Sequence, residues 1–221
     1  MTYSATIEQT GEKIPVNTVY CLGKNYAAHA REMGDKVPSE PVVFIKPATA
    51  VINGGKPVVL PSFSKEVHHE IELVVLVDNV PRNIPEADAA RYIIAYGVGL
   101  DLTARDIQSE AKKKGLPWTT AKGFDGSAPV SGFHKTDNGL LDTNTQLRLT
   151  INNQVKQQDT IGNMIIPVSA IIAHLSKFFT LRRGDLIFTG TPEGVGQLQP
   201  GDAVTVELVD IVSFSTRVQK S

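Results

Sequence analysis

The chain has 221 residues, 41% of them hydrophobic and 20% charged, with 22 Lys/Arg against 23 Asp/Glu and a formal net charge of −1. That length holds one domain, or two small ones, with a buried core, and so small a net charge excludes a general nucleic-acid binder or a polybasic membrane binder, both of which need a sustained positive excess. The single cysteine, Cys21, cannot close an internal disulfide, which excludes a disulfide-stapled secreted fold and makes Cys21 a small buried residue.

The first residues, with Glu8 and Glu12 among polar neighbours, have neither the basic and apolar regions of a secretory signal nor the Arg-rich character of a transit peptide. No apolar stretch approaches the roughly 18–20 residues that span a bilayer. The expectation is a soluble, cytoplasmic protein without nucleic-acid or membrane partners.

In chain order, Tyr26–Met33 reads as a short helix, and Val42–Ile45, Val58–Leu60, Ile71–Val77 and Ile93–Leu100 as strands rich in Val, Ile and Leu. Glu86–Tyr92 reads as a further short helix. Thr103 followed by Asp106 has the pattern of an N-cap with an acidic N3 residue and predicts a helix through Lys114, stopped by Gly115 and Pro117. Leu147–Ile151 alternates as a half-buried strand, and Asn152-Asn153 offers a hairpin turn because Asn tolerates positive φ. Pro167 suits the N1 position of a second helix, with Ile171, Ile172, Leu175, Phe178 and Phe179 as its buried face. The strands Leu186–Thr189 and Val204–Val209 each follow a Gly-Asp turn, Gly184-Asp185 and Gly201-Asp202. No linker divides the chain, which reads as one β-rich mixed domain.

The sharpest chemical feature is the run from His68 through Glu70 and Glu72 to Val77. On a strand, Glu70 and Glu72 share a face roughly 6–7 Å apart. Two carboxylates at the head of an apolar strand repel each other unless a positive group sits between them or water covers them. A divalent cation satisfies the first case and a solvated edge the second. Asp101 ends the strand Ile93–Leu100, where catalytic groups are often placed, and three carboxylates favour Mg²⁺, Mn²⁺ or Ca²⁺ over structural zinc. His68 shares their face and is a further ligand candidate.

If Tyr26–Met33 is helical, His29 and Glu32 stand at i, i+3 and can hydrogen-bond, either as a pair that makes water nucleophilic or as an ordinary surface pair. Arg105 and Gln108 have the same spacing and suit anion recognition, and Lys122 sits in a Gly-containing segment. The run Lys112–Lys114 reads as a solvated helix end. The Gly-rich loop Thr189–Gly196 either presents backbone N–H groups to an anion or is a plain turn.

Taken together, Gly23-Lys-Asn-Tyr-Ala-Ala-His29, Pro41–Pro47, His68–Leu73, Leu100–Asp106, Lys112–Trp118 and Phe188–Gly196 resemble the fumarylacetoacetate hydrolase family, in its short single-domain acylpyruvate hydrolase and oxaloacetate decarboxylase branch. The resemblance covers the chain from about Val19 to Val218 and leaves residues 1–16 as a variable segment before a single catalytic domain over 17–221. It implies an α+β, β-rich mixed β-roll with a few short helices, usually a homodimer. It also implies Mg²⁺ or Mn²⁺ held by Glu70, Glu72 and Asp101, a water-activating dyad of His29 and Glu32, and Lys122 at the substrate. Arg105, Gln108, Lys46 and Thr191 are implied as substrate contacts.

The activity implied is cleavage of the C3–C4 bond of a 2-oxo acid. The substrate is an acylpyruvate, hydrolysed to pyruvate and a carboxylic acid, or oxaloacetate, decarboxylated through the same enolate. Three alternatives stand beside it: an oxaloacetate keto–enol tautomerase, a hydratase or isomerase of aromatic catabolism, and a non-catalytic metal-dependent binder of dicarboxylates.

Overall fold

A computed structural model of the chain describes residues 3–34, 37–136 and 139–221. The apolar run Ile71–Val77 is the middle strand of a mixed seven-stranded sheet, ordered Val42–Pro47, Thr18–Gly23, Leu186–Phe188, Ile71–Val77, Ile93–Leu100, Ala128–Val130 and Val51–Asn53. A strand apolar at nearly every position must be covered on both faces. Leu73, Val75 and Val77 enter a core shared with Val98, Leu149, Val206 and Ile172, while Val74 and Leu76 enter a second with Val19, Phe188 and Ile7.

Among the described residues four α-helices accompany the sheets: α1 (Ala27–Glu32), α2 (Arg105–Lys114), α3 (Thr119–Lys122) and α4 (Val168–Phe178). The first core is closed by α4 and by a five-stranded sheet, ordered Gln154–Thr160, Gln146–Ile151, Ala203–Leu208, Val212–Lys220 and Val58–Leu60. Among the described residues three pairs of strands are parallel and the other strand pairs are antiparallel, so the architecture is the β-rich mixed roll with short helices that was expected. Among the described residues no helix is long and apolar enough to cross a membrane.

Local turn chemistry follows the sequence closely. Asn152 and Asn153 both have positive φ, 51° and 64°, and join two antiparallel strands. Both Gly-Asp turns close in one way: Asp185 Oδ2 accepts from the Arg182 amide at 2.8 Å, and Asp202 Oδ2 from the Gln199 amide at 2.7 Å.

Three expectations change. Thr103 is not an N-cap: it lies in a two-residue strand paired with His68, its hydroxyl donates to the Asp101 carbonyl, and α2 starts at Arg105. Pro167 takes the N-cap position of α4, not N1, and Phe178 is exposed at the helix end while Phe179 lies beyond it. Residues Glu86–Tyr92 form a 3₁₀ helix. Near the N-terminus, where the sequence suggested no element, Ser4–Thr6 and Lys13–Pro15 form a hairpin, and Ala5, Ile7 and Ile14 help fill the second core.

Buried Asn25 ties three segments together. Its amide nitrogen donates to the Ile166 and Thr189 carbonyls at 3.0 and 2.8 Å, and its oxygen accepts from the Ile166 amide at 2.8 Å. Asn25→Ala leaves three backbone groups without these partners and is expected to lower stability by about 2–4 kcal/mol. Chemical denaturation without added metal measures this, so that ligand binding does not mask the loss.

Candidate active site

The site forms where the chain passes from one sheet to another. Val67–His69 pairs in a small three-stranded sheet, Ile71–Val77 enters the large one, and Glu70 is the residue between them. The Asp101 amide donates to the Glu70 carbonyl at 2.9 Å, which places the end of strand Ile93–Leu100 beside it. Glu72 has the parity of Glu70 and faces the same side. Opposite Glu72 in the ladder stands Gly99, where a Cβ would lie 2.9 Å from the Pro129 carbonyl oxygen and 3.0 Å from the Phe188 ring. Only glycine lets these layers close there.

Glu70, Glu72 and Asp101 are all buried, and one carboxylate oxygen from each lies within 4.8 Å of the other two. The solvated-edge reading of Glu-x-Glu is therefore excluded. Lys122 donates to Glu70 Oε2 and Asp101 Oδ2, each at 2.6 Å, and Arg105 pairs with Glu70 Oε1. Burial disfavours ionised Glu70, but Lys122 and Arg105 outweigh it and hold its pKa well below the usual carboxylate range. Burial opposes the Lys122 charge too, and Asp101 and Glu70 overcome it, raising the ammonium pKa. Glu72 has no such neighbour at contact. Burial, reinforced by Asp101 and Glu70, pushes its pKa well above normal, against the pull of Lys122 and one hydrogen bond from the Gly190 amide at 2.7 Å.

This donor set fits a hard divalent cation. Three oxygen ligands converge, and Asp101 Oδ1 is buried without an aligned hydrogen bond. Lys46 Nζ lies 2.8 Å from that oxygen, but its donors are directed at Leu102, Lys122 and Ser127 oxygens, so it supplies charge while the oxygen's lone pairs remain available.

The other expected residues fall in two groups. His29, Arg105, Gln108, Lys122 and Thr191 line one cavity with the three carboxylates. His29 Nδ1 lies 3.3 Å from Glu32 Oε2, and the Glu32 carboxylate also accepts from the Gly194 amide, at 3.0 Å to one oxygen and 3.2 Å to the other. Lys46 is absent from the cavity wall: fully buried behind Asp101, it braces the ligand set and does not stand on the substrate side where it was expected. His68 also stays apart, paired with Glu66 at 2.8 Å and backing the Arg105 guanidinium.

Two findings were out of reach from the sequence. The Gly-rich loop does present N–H groups to anions, but the anions are the chain's own Glu72 and Glu32. Gln157, buried on a strand of the other sheet, accepts from the Ile71 amide at 3.1 Å through Oε1, which also lies 2.9 Å from His69 Nδ1, and its Nε2 donates to Thr191 Oγ1 at 2.9 Å, so it fixes Thr191 at the cavity. Its surroundings in sequence, Val155-Lys-Gln-Gln-Asp159, are those of any polar edge strand. Cys21 is buried, and burial raises its thiol pKa, in keeping with a packing role.

The profile of the fumarylacetoacetate (FAA) hydrolase C-terminal family matches residues 18–219. The chain belongs to that family. It is 49% identical over 205 residues to oxaloacetate tautomerase YcgM of Escherichia coli K12, covering 92% of this chain and 93% of the relative. It is 43% identical over 202 residues to the mitochondrial oxaloacetate tautomerase FAHD1 of Homo sapiens, covering 91% of each. Among solved structures, fumarylpyruvate hydrolase from Pseudomonas aeruginosa, in complex with Mn²⁺ and pyruvate, superposes with a TM-score of 0.93 at 36% identity, over 100% of this chain and 97% of that one. The family is one of enzymes, and the fold and buried acidic triad of this member accord with it.

Mn²⁺ is expected to raise the melting temperature of the wild-type protein and not of Asp101→Asn. A free concentration about a hundredfold above Kd corresponds to roughly 2.7 kcal/mol. The gain should be larger at pH 7.5 than at pH 5.5. Burial raises the Glu72 pKa, so at lower pH the ion must displace a proton to gain that ligand. Thermal melts with and without chelator at both pH values provide the measurement.

Proposed function

We propose that the protein is a divalent-metal-dependent enzyme of 2-oxo acids that promotes enolisation, with oxaloacetate keto–enol interconversion as its first activity and hydrolysis of acylpyruvates as its second. The observation that carries the reading is the convergence of Glu70, Glu72, Asp101, Lys122 and His29 on one cavity. The similarity to two oxaloacetate tautomerases over more than nine-tenths of each chain is what supports ranking tautomerisation first here. The positioned His29–Glu32 pair favours the hydrolase as the second reading, and it argues against a protein that merely binds dicarboxylates, which needs no base.

Mg²⁺ or Mn²⁺ held by Glu70, Glu72 and Asp101 would supply Lewis acidity for the negative charge that develops on the 2-keto oxygen. Lys122 adds a fixed positive charge at the same point, and Arg105, oriented by Gln108 at 2.6 Å, faces the substrate carboxylate. His29, held by Glu32, removes a proton from C3. In tautomerisation the proton is returned at the keto oxygen. In hydrolysis His29 instead takes the proton of a water that attacks C4, and the C3–C4 bond breaks to leave the pyruvate enolate. Oxaloacetate decarboxylation needs the charge stabilisation alone. The homodimer implied by the family resemblance belongs to this reading, supported by an apolar groove that exposed Ile45 and Leu116 form with half-buried Trp118 beside the edge strand of the large sheet.

The test follows decay of enol absorbance with oxaloacetate and pyruvate release from acetylpyruvate, with Mg²⁺, with Mn²⁺ and with chelator. Both activities should vanish with chelator and in Glu70→Ala. His29→Ala should lower tautomerisation and hydrolysis by about 10²–10⁴-fold and leave decarboxylation measurable. A His29→Ala enzyme that works at the wild-type rate on both would show the dyad assignment to be wrong.

A further inference from the structure

Strand Gln154–Thr160 is exposed along much of its length, yet Gln157 within it is buried, and an irregularity in the ladder explains how. Leu149 pairs with Gln157 and Thr150 with Val155, so Lys156 is an extra residue between them. Such a bulge reverses the parity of a strand. Val155 stays on the solvent side with 54% exposure, whereas Gln157, two residues on, turns inward beside buried Leu149. Without the bulge the two would share a face.

The bulge also meets the Gly-rich loop. A Cβ at Gly194 would lie 2.2 Å from the Lys156 carbonyl oxygen, so the glycine whose amide holds Glu32 is seated directly on the bulge.

The inward amide of Gln157 has one orientation. Its Oε1 accepts from the Ile71 amide, which can only donate, and its Nε2 donates at 2.9 Å to the Pro192 carbonyl, which can only accept. His69 Nδ1, beside Oε1, must therefore carry its proton on that nitrogen. The second Nε2 hydrogen goes to Thr191 Oγ1. Thr191 is thus compelled to accept from Gln157, and its own hydroxyl proton points elsewhere. Among the described residues no protein acceptor takes that proton, although Thr191 is only 2% exposed and lines the cavity.

We propose that Gln157 is a positioning residue that locks the Thr191 hydroxyl as a hydrogen-bond donor into the cavity, so that the site accepts an oxygen lone pair at that point and rejects a donor. Gln157 is absent from the cavity wall and acts through Thr191. The inference rests on the proposed 2-oxo acid reading, in which the bound end of the ligand offers carboxylate and keto oxygens. A buried donor that meets another donor leaves both unpaired, which is what gives the lock its selectivity.

A double-mutant cycle on the Mn²⁺-saturated full chain, read as pyruvate affinity by titration calorimetry at pH 8.5, tests the lock. Gln157→Glu keeps an acceptor for the Ile71 amide and His69 but, ionised, has no hydrogen for Thr191. The Thr191 hydroxyl then turns back to donate to the new carboxylate and shows its lone pairs to the ligand. Pyruvate affinity should fall about tenfold or more. In a Thr191→Val background the same change should cost about twofold or less, because no hydroxyl remains to be turned. Displacement of the loop, or repulsion between the new carboxylate and the anion, would act in both backgrounds. Equal losses in the two, or no loss in either, overturn the proposal and leave the 2-oxo acid reading standing. If Gln157→Glu fails to fold, Gln157→Met completes the same cycle, with a loss of about threefold or more that again disappears in Thr191→Val. A wild type that binds no pyruvate overturns the 2-oxo acid reading and this inference with it.

Discussion

Three carboxylates buried within reach of one another are the constraint on which the rest of the structure depends. Each would cost several kcal/mol to bury alone, and mutual repulsion adds to that cost. The chain offsets it with cations from three separate elements: Lys46 from an edge strand, Lys122 from α3 and Arg105 from α2. Removing any one leaves a buried charge uncompensated, which explains why so many segments converge on one point. Lys46 illustrates the division of labour. It never reaches the cavity, yet it holds the charge of Asp101 in place and ties the Leu102, Lys122 and Ser127 carbonyls around it.

The sheet provides the rigidity this arrangement needs. Strand Ile71–Val77 is packed on both faces, so Glu72 cannot withdraw toward water, and Gly99 opposite it allows Phe188 to close the layer. The loop after strand Leu186–Phe188 then contributes donors in two directions, from Gly190 to Glu72 and from Gly194 to Glu32. One loop therefore links the proposed metal ligands to the His29–Glu32 dyad. Gly190 has φ of 97°, and a Cβ there would lie 2.6 Å from Asn25 Cβ, so the residue that binds Glu72 is also the one packed on the residue that ties α1 to this loop.

What the sequence revealed and what it hid divide along a physical line. The strands Ile71–Val77 and Ile93–Leu100, the Asn152-Asn153 turn and the Gly115 helix stop were legible because burial period and positive φ are local properties. The acidic triad was legible because Glu70 and Glu72 share strand parity and Asp101 ends an apolar run. Partnership across the fold was not. Thr103 looked like a cap because its local pattern is that of one, but its hydroxyl was already committed to Asp101. Gln157 carries no sequence signal, since its importance comes from reaching His69, Ile71 and Thr191 across two sheets. The N-terminal hairpin was missed because Ala5, Ile7 and Ile14 alternate over only a few residues between polar neighbours.

The inner site is chemically general, and that generality bears on specificity. Enolisation, hydrolysis and decarboxylation of a 2-oxo acid all place negative charge on the same keto oxygen, so the triad and Lys122 serve each equally and distinguish none. Discrimination must come from groups that meet the part of the substrate remote from that oxygen. On the proposed reading, His29 decides whether a proton is moved. Lys24, Lys112 and Trp118, which line the same cavity, lie in turns or at a helix end, whereas the three carboxylates lie at strand ends and junctions. The common chemistry is thus fixed to the sheet, and the rest of the cavity wall to segments whose residues can change without disturbing it.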